Sequence, residues 1–180
     1  MQSPLEPIPA LILETDRLQL SELCPADELF IVELLNSPGF LAHIGDRGVR
    51  TGEDAQRYLA EGPIASYAAH GFGLWKVTRR SDGLAVGMSG LIKRDVLAFP
   101  DLGYAFLPGH AGQGYATEAG AAVLALGFGP RGLARILAIV QPGNDGSVRV
   151  LEKLGMTDRG VGQFDHQVLR VFGNDAPCAS

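Results

Sequence analysis

Residues 108 to 118 read PGHAGQGYATE, with glycine at 109, 112 and 114, and they divide two kinds of chain. Before them, "DLGYAFLP" sets Leu102, Tyr104 and Phe106 against Asp101, Gly103 and Ala105, which is the two-residue period of a strand. After them, Ala119, Ala122, Val123 and Leu126 keep the i, i+3, i+4, i+7 spacing of a helix with one buried face. A strand that turns through glycines into a helix leaves the first N–H groups of that helix without acceptors and aims them, with the helix dipole, at an incoming anion. Phosphate is the obvious candidate. Gly112 and Gly114 let the backbone approach with no Cβ in the way, and Ala116 keeps the helix start small. A plain structural turn is the competing reading, since glycine and proline mark ordinary loops. Two familiar phosphate loops fail. A Rossmann fingerprint would need a small residue where Thr117 stands and an acidic residue about 20 positions on, where the chain reads "RGLARILAIV". A Walker loop needs Gly-Lys-Ser/Thr, and that triplet is absent.

Around this loop the periodicities describe one mixed unit. A proline-rich arm over residues 1–14 leads into "TDRLQLSEL", where Leu18 and Leu20 alternate as in a strand. Pro25, Asp27 and Glu28 suit a first helical turn, Leu29 to Leu35 supply an apolar face, and "NSPG" stops it. "TGED" places the Thr51 hydroxyl three residues before a carboxylate, a capping-box variant, and the helix it starts breaks near Gly62-Pro63 and resumes through Tyr67. "FGLWKVTRR", "SDG" and "LAVGMSGLIKR" read as a hairpin. "ARILAIV" is an apolar strand of the kind covered on both faces, Val148, Leu151 and Leu154 mark a helix ending at Gly155, and "HQVLRVF" is a last strand before a tail at 174–180. Neither a repeat nor a second composition regime interrupts this order, so 15–173 reads as one α/β domain.

Composition removes several function classes. At 180 residues with 46% hydrophobic content the chain can bury a sizeable core in one domain. A net charge of −5, a pI near 5.3 and no basic stripe argue against nucleic acid and against a membrane surface. The apolar run from Ala119 to Pro130 is shorter than the roughly 20 residues a membrane span needs. The opening residues lack a basic segment followed by an apolar run, so no secretory signal is expected. Cys24 and Cys178 stand in no metal or redox spacing and read as free thiols of a reducing cytoplasm. The four histidines, 43, 70, 110 and 166, show no paired ligand spacing, so no metal is expected.

"NDGSVRVLEKLGM", Asn144 to Met156, adds specificity to the glycine loop. With "DLGYAFLPGHAGQGYATEA" and the earlier "HIGDRGVRTGEDAQRYL", it resembles the GNAT superfamily of acetyl-CoA-dependent N-acetyltransferases, and within it the RimJ/RimL-like branch, over about residues 15–172. The resemblance implies a mixed, largely antiparallel twisted sheet flanked by helices, in which the strands near 101–107 and 134–141 run parallel and splay apart. Pantetheine would lie in the gap, pairing main chain to main chain with Ala105, Phe106 and Leu107. Gly112, Gln113, Gly114, Ala116 and Thr117 would hold the pyrophosphate, and Asn144 would cap the last helix and meet the cofactor arm. The chain departs from the superfamily at Gly109, where relatives often carry glutamine or arginine, and at Leu151, where many carry a general-acid tyrosine. The resemblance to this branch implies that Ser147 would instead be the hydrogen-bond donor to the departing thiolate and would also contact the cofactor.

The reaction this implies is direct attack of a neutral amine on a thioester, so holding both reactants close is the main task. Asp101 occupies the position where the branch commonly has an acidic residue and is the candidate base; a solvated edge carboxylate is the plainer reading. Ser147 reads equally as a small residue of a first helical turn, Glu118 as a complement to the helix dipole, His110 as a surface histidine, and Tyr104 and Phe106 as core or pocket wall. The acceptor is an amine, either a peptide N-terminus or a small molecule, and segment 39–50 would supply much of its wall. The resemblance allows a homodimer. A non-catalytic acyl-CoA-binding module, left open by Leu151, is the alternative.

Overall fold

The computed structural model describes residues 9–164 and 166–177; Cys178 lies outside them. Eight strands form one sheet in the order β1-β2-β3-β4-β5-β6-β8-β7. These are β1 Leu11–Glu14, β2 Leu18–Ser21, β3 Leu74–Arg79, β4 Leu84–Ile92, β5 Asp101–Phe106, β6 Arg135–Val140, β7 Thr157–Phe164 and β8 Gln167–Asp175. All neighbours pair antiparallel except β5 and β6, which run parallel. The helices are α1 Glu28–Leu35, α2 Pro38–His43, α3 Gly52–Leu59, α4 Ala65–His70, α5 Tyr115–Phe128 and α6 Asp145–Lys153. None is long and apolar enough to cross a membrane among the described residues.

Alternation along the strands builds two cores. Trp75, Val77, Leu91 and Leu102 face α5 and α6, where they bury Ala119, Val123 and Leu151. Met88, Ala105 and Leu107 face the opposite way, onto Ile31, Leu34, Phe40 and Leu59 of α1 to α3. The sheet is therefore covered on both sides, and each face of β5 belongs to a different core.

Several elements depart from the expectations of sequence. Leu11–Glu14, at the end of the proline-rich arm, pairs with β2 as an edge strand, and β8 runs to Asp175, into the stretch read as tail. "NSPG" does end α1, but Pro38 then opens α2, because proline is as acceptable at a first helical position as it is disruptive later. Gly62-Pro63 does not break the chain. Residues Ala60–Ile64 widen into a π turn in which Ala65 N–H reaches the Ala60 carbonyl, and the wider turn accommodates a proline that has no N–H to give. β7 was not foreseen: "TDRGVGQF" is almost wholly exposed at the sheet edge and carries no apolar alternation. Thr51 does cap α3, accepting from Asp54 N–H at 3.1 Å while Asp54 accepts from Thr51 N–H at 3.0 Å.

Candidate active site

Among the described residues β5 and β6 meet at a single register pair, Asp101 opposite Leu137, with Leu137 N–H donating to the Pro100 carbonyl at 2.9 Å. Beyond it each strand pairs only outward, β5 with β4 and β6 with β8. The gap opens into a cavity of about 780 Å³ lined from both sides of the sheet: Phe40, Tyr58 and Met88 on one, Phe106, Asn144 and Leu151 on the other. Strand geometry selects which backbone groups face it. Leu107 N–H donates to Val86 across the β4 side at 3.0 Å, and the Ala105 carbonyl points at Gly87, where an added Cβ would come within 2.4 Å of it. By alternation the main-chain groups of Phe106 and Tyr104 are the ones directed into the gap. Of the three residues assigned by resemblance, Phe106 alone offers its backbone there.

The glycine loop follows directly. Gly112 and Gly114 have φ of +76° and +81°, a left-handed backbone that favours glycine, and Gly114 caps α5. The amides from Gly112 through Thr117 donate to no protein acceptor among the described residues. They form a row of free donors at the end of α5 that carries the positive dipole, beside a cavity lined by Gly112, Gly114, Ala116 and Thr117. His110 Nδ1, buried and without a partner among the described residues, adds one orphaned polar atom to the same wall. The Gln113 carboxamide donates to the Gly109 carbonyl at 3.0 Å, so its side chain braces the loop. From outside, Arg17 donates to the Gln113 carbonyl at 3.0 Å, pairs with Glu118 at 2.6 Å and lies 4.7 Å over the Tyr115 ring. Glu118 also accepts from the Thr15 hydroxyl and from Arg17 N–H. Burial pushes its carboxyl up, but these hydrogen bonds and the Arg17 charge outweigh that and hold it below the usual range. Glu118 thus ties the loop to the β1–β2 turn rather than merely complementing a dipole.

On the α6 side, Asn144 Oδ1 accepts from Ser147 N–H at 3.1 Å, capping the helix as its position implied. The Ser147 hydroxyl lines the cavity and makes no hydrogen bond among the described residues, whereas its carbonyl accepts from the Tyr104 hydroxyl at 3.2 Å. Tyr104 therefore bridges the gap from β5 to α6, and burial pushes its phenol up to about 12 against the pull of that hydrogen bond. Leu151 is 1% exposed and fills both core and cavity wall.

Asp101 is no solvated edge carboxylate: it is 1% exposed, at the closed end of the gap, on the face that carries α1 to α3. Its Oδ1 pairs with Arg94 Nε at 2.9 Å. Burial raises its pKa above the ordinary carboxyl value, opposed by the Arg94 charge and hydrogen bond. Tyr58 of α3 and Arg47, in the segment after α2, line the same cavity. Burial also raises the Tyr58 phenol, with the charges of Arg47 and Arg94 pulling it back, so both guanidiniums lie within electrostatic reach of its hydroxyl. Arg17, Arg47, Tyr58 and Arg94 escaped the sequence reading because each acts across the fold with no motif spacing; only segment 39–50, singled out as acceptor wall, contained one of them. The structure brings Asp101, Ser147, the gap and the loop to one cavity.

Comparison with known proteins gives the family and the fold. The family described as Acetyltransferase (GNAT) domain matches residues 17–157. Two proteins of Bacillus subtilis (strain 168) are similar: protein YkkB, 29% identical over 147 residues covering 80% of this chain and 84% of the relative, and the N-acetyltransferase YoaA, 29% identical over 153 residues covering 83% and 85%. The crystal structure of an acetyltransferase from Agrobacterium tumefaciens str. C58 superposes with a TM-score of 0.77 at 24% identity, covering 97% of this chain and 98% of that one, which shows the fold.

Proposed function

The chain belongs to the GNAT acetyltransferase family, and from that premise we propose that it moves an acetyl group from acetyl-CoA directly to a primary amine admitted from the opposite face of the sheet. The observation that carries this reading is a cavity at the splay between β5 and β6, lined from both faces of the sheet and bordered by a row of amides unpaired among the described residues and by a buried carboxylate. The residues fit the donor. Gly112 to Thr117 offer main-chain N–H groups to a pyrophosphate, Phe106 and Tyr104 offer strand backbone to amides, and Asn144 stands where the cofactor arm would pass. Acetyl-CoA, when bound, supplies a thioester carbonyl.

In the transfer the C–N bond forms as the C–S bond breaks. Asp101 takes the proton the amine must lose, directly or through a water, and its raised pKa makes it a better base than an exposed aspartate. Ser147, which lines the cavity with a hydroxyl free of partners among the described residues, would supply a hydrogen bond to the departing sulfur. Ala105 acts as wall, Leu107 packs into the core beneath α1 to α3 instead, and Gln113 is the loop brace. The proposed acceptor is an α-amine, of a peptide or a small molecule, in keeping with the RimJ/RimL-like pattern of "GYAFLPGHAGQGYATEA". An α-amino group, at about 7.7 to 8.0, gives up its proton more easily than lysine. The proposed setting is the cytoplasm, where the free thiol of Cys24 would stay reduced.

Release of free thiol from acetyl-CoA with an amine panel tests the transfer, and calorimetry tests the cradle. In Gly114→Val the left-handed backbone at φ +81° is denied, so acetyl-CoA binding should be lost while the fold persists. Unchanged affinity in that variant would remove the loop from cofactor binding. A tight complex with no turnover on any amine would favour the non-catalytic module.

A further inference from the structure

The acceptor end of the cavity carries charge information beyond the transfer reading on which it rests. Asp101 is the one carboxylate among the lining residues, and its Oδ1 is taken by Arg94. Arg94 makes that contact through Nε alone. Its two Nη groups have no partner among the described residues, and its side chain is one-third exposed. Arg47 makes no ion pair or hydrogen bond among the described residues, while neighbouring Arg50 is neutralised by Asp46 at 2.6 Å. The Tyr58 hydroxyl, within reach of both charges, also has no partner among the described residues. Free donors from α3, the segment after α2 and the loop after β4 therefore line one cavity. Among the described residues that line the cavity, the only carboxylate available to them is that of Asp101, through its remaining oxygen.

We infer that the acceptor is an amine bearing a carboxylate: Arg47, the free Nη groups of Arg94 and the Tyr58 hydroxyl hold the carboxylate, while Asp101 Oδ2 faces the ammonium. Arg94 and Asp101 together present one cation and one anion side by side, the complement of an α-amino acid or of a peptide whose acidic group lies near its N-terminus. Donors without a carboxylate to meet them stay unpaired, which penalises neutral isosteres. A polycationic amine would meet Arg47 and Arg94 with no free carboxylate beyond Asp101 to compensate, an arrangement that selects against it.

The test uses the full chain and matched acceptors: alanine against alaninamide, a Glu-Ala dipeptide amide against its Gln-Ala counterpart, and putrescine as a cation without carboxylate. Thiol release gives kcat and KM for each. The carboxylate member of at least one pair should be preferred by roughly tenfold or more in kcat/KM, mostly in KM. The pair that shows it separates an α-carboxylate from a side-chain one. Arg47→Gln should abolish the preference yet leave acetyl-CoA affinity unchanged by calorimetry, since Arg47 lies on the other face of the sheet from the glycine loop. Equal use of carboxylate and carboxamide, or preference for putrescine, overturns the inference and leaves amine acetylation standing. If no amine is acetylated although acetyl-CoA binds, the transfer reading fails. Calorimetry of the CoA complex with the same pairs then decides: carboxylate binding that Arg47→Gln removes sustains the inference, and its absence ends it.

Discussion

Asp101 sits at 1% exposure, and that burial lifts its carboxyl above the ordinary value despite Arg94. A raised folded-state pKa means the protonated form suits the fold better; the stability it contributes is full below the unfolded value and lost as pH rises through the folded one. Asn, which resembles the protonated acid and still offers an oxygen to Arg94, should therefore leave thermal stability at neutral pH unchanged or higher. Activity should behave differently. Between the raised carboxyl value and the amine's own pKa, about 7.7 to 8.0 for an α-amine, the wild type has a base and the substrate still carries its proton. Asp101→Asn should lose most turnover in that window and recover part of it at higher pH. Wild-type rates across the whole range would leave positioning of an already neutral amine as the source of catalysis. Ser147→Ala keeps the N–H that Asn144 caps, so α6 stays intact and a loss of about 10²-fold in kcat with unchanged cofactor affinity would report the hydroxyl alone. A wild-type rate would reduce Ser147 to a packing residue. At this scale the cap, the glycines and the small helix entry were legible because each is a local backbone requirement. Arg94 was not, since it meets Asp101 only after a loop folds back through Pro100; nor was the inward turn of Phe106, which follows from the Leu107 to Val86 bond.

The glycine loop shows how an element acquires rigidity that its own residues do not supply. It carries no lysine or arginine, yet Arg17 grips it from the β1–β2 turn through the Gln113 carbonyl and Glu118. A row of amides binds an anion well only if it is already in place, so the brace should show in affinity without touching the ligand. Arg17→Ala is expected to weaken acetyl-CoA binding several-fold by calorimetry, with kcat at saturation unchanged. The depressed Glu118 carboxyl gives the pH sign: its contribution is present above the unfolded value, about 4.3, and is lost as pH falls through the lower folded one. Identical affinities in Arg17→Ala and wild type would make the brace irrelevant to the cradle. Elements with an apolar face were readable from period alone, as α5 and β6 were. Those without one were not: β7 is glycine and charge at an edge, and α2 begins at the very proline that reads as a stop.

Across the whole molecule, the sheet is two half-sheets, β1 to β5 and β6-β8-β7, joined at the Asp101–Leu137 pair and overlaid by α5 and α6. A parallel pair that ends after one bridge leaves backbone groups of both strands without ladder partners, a cost that a compact fold normally avoids. The alternation set by Leu107 and Leu137 assigns those groups to Tyr104 and Phe106 on β5 and to Ile139 on β6. The seam is therefore held by a single register pair, and it is where the proposed reading places an amide-bearing ligand. Acetyl-CoA at a hundred times its dissociation constant stabilises the folded state by about 2.7 kcal/mol, which for a chain of this size corresponds to roughly 5–10 °C in Tm. The same addition should slow hydrogen exchange at Tyr104, Phe106 and Ile139 as well as at 112–117, with the edge strands β1 and β7 unaffected. Gly114→Val should abolish both responses together. Protection confined to the glycine loop, with β5 and β6 exchanging as before, would mean that the ligand docks by its phosphates alone and that the splay is not its channel.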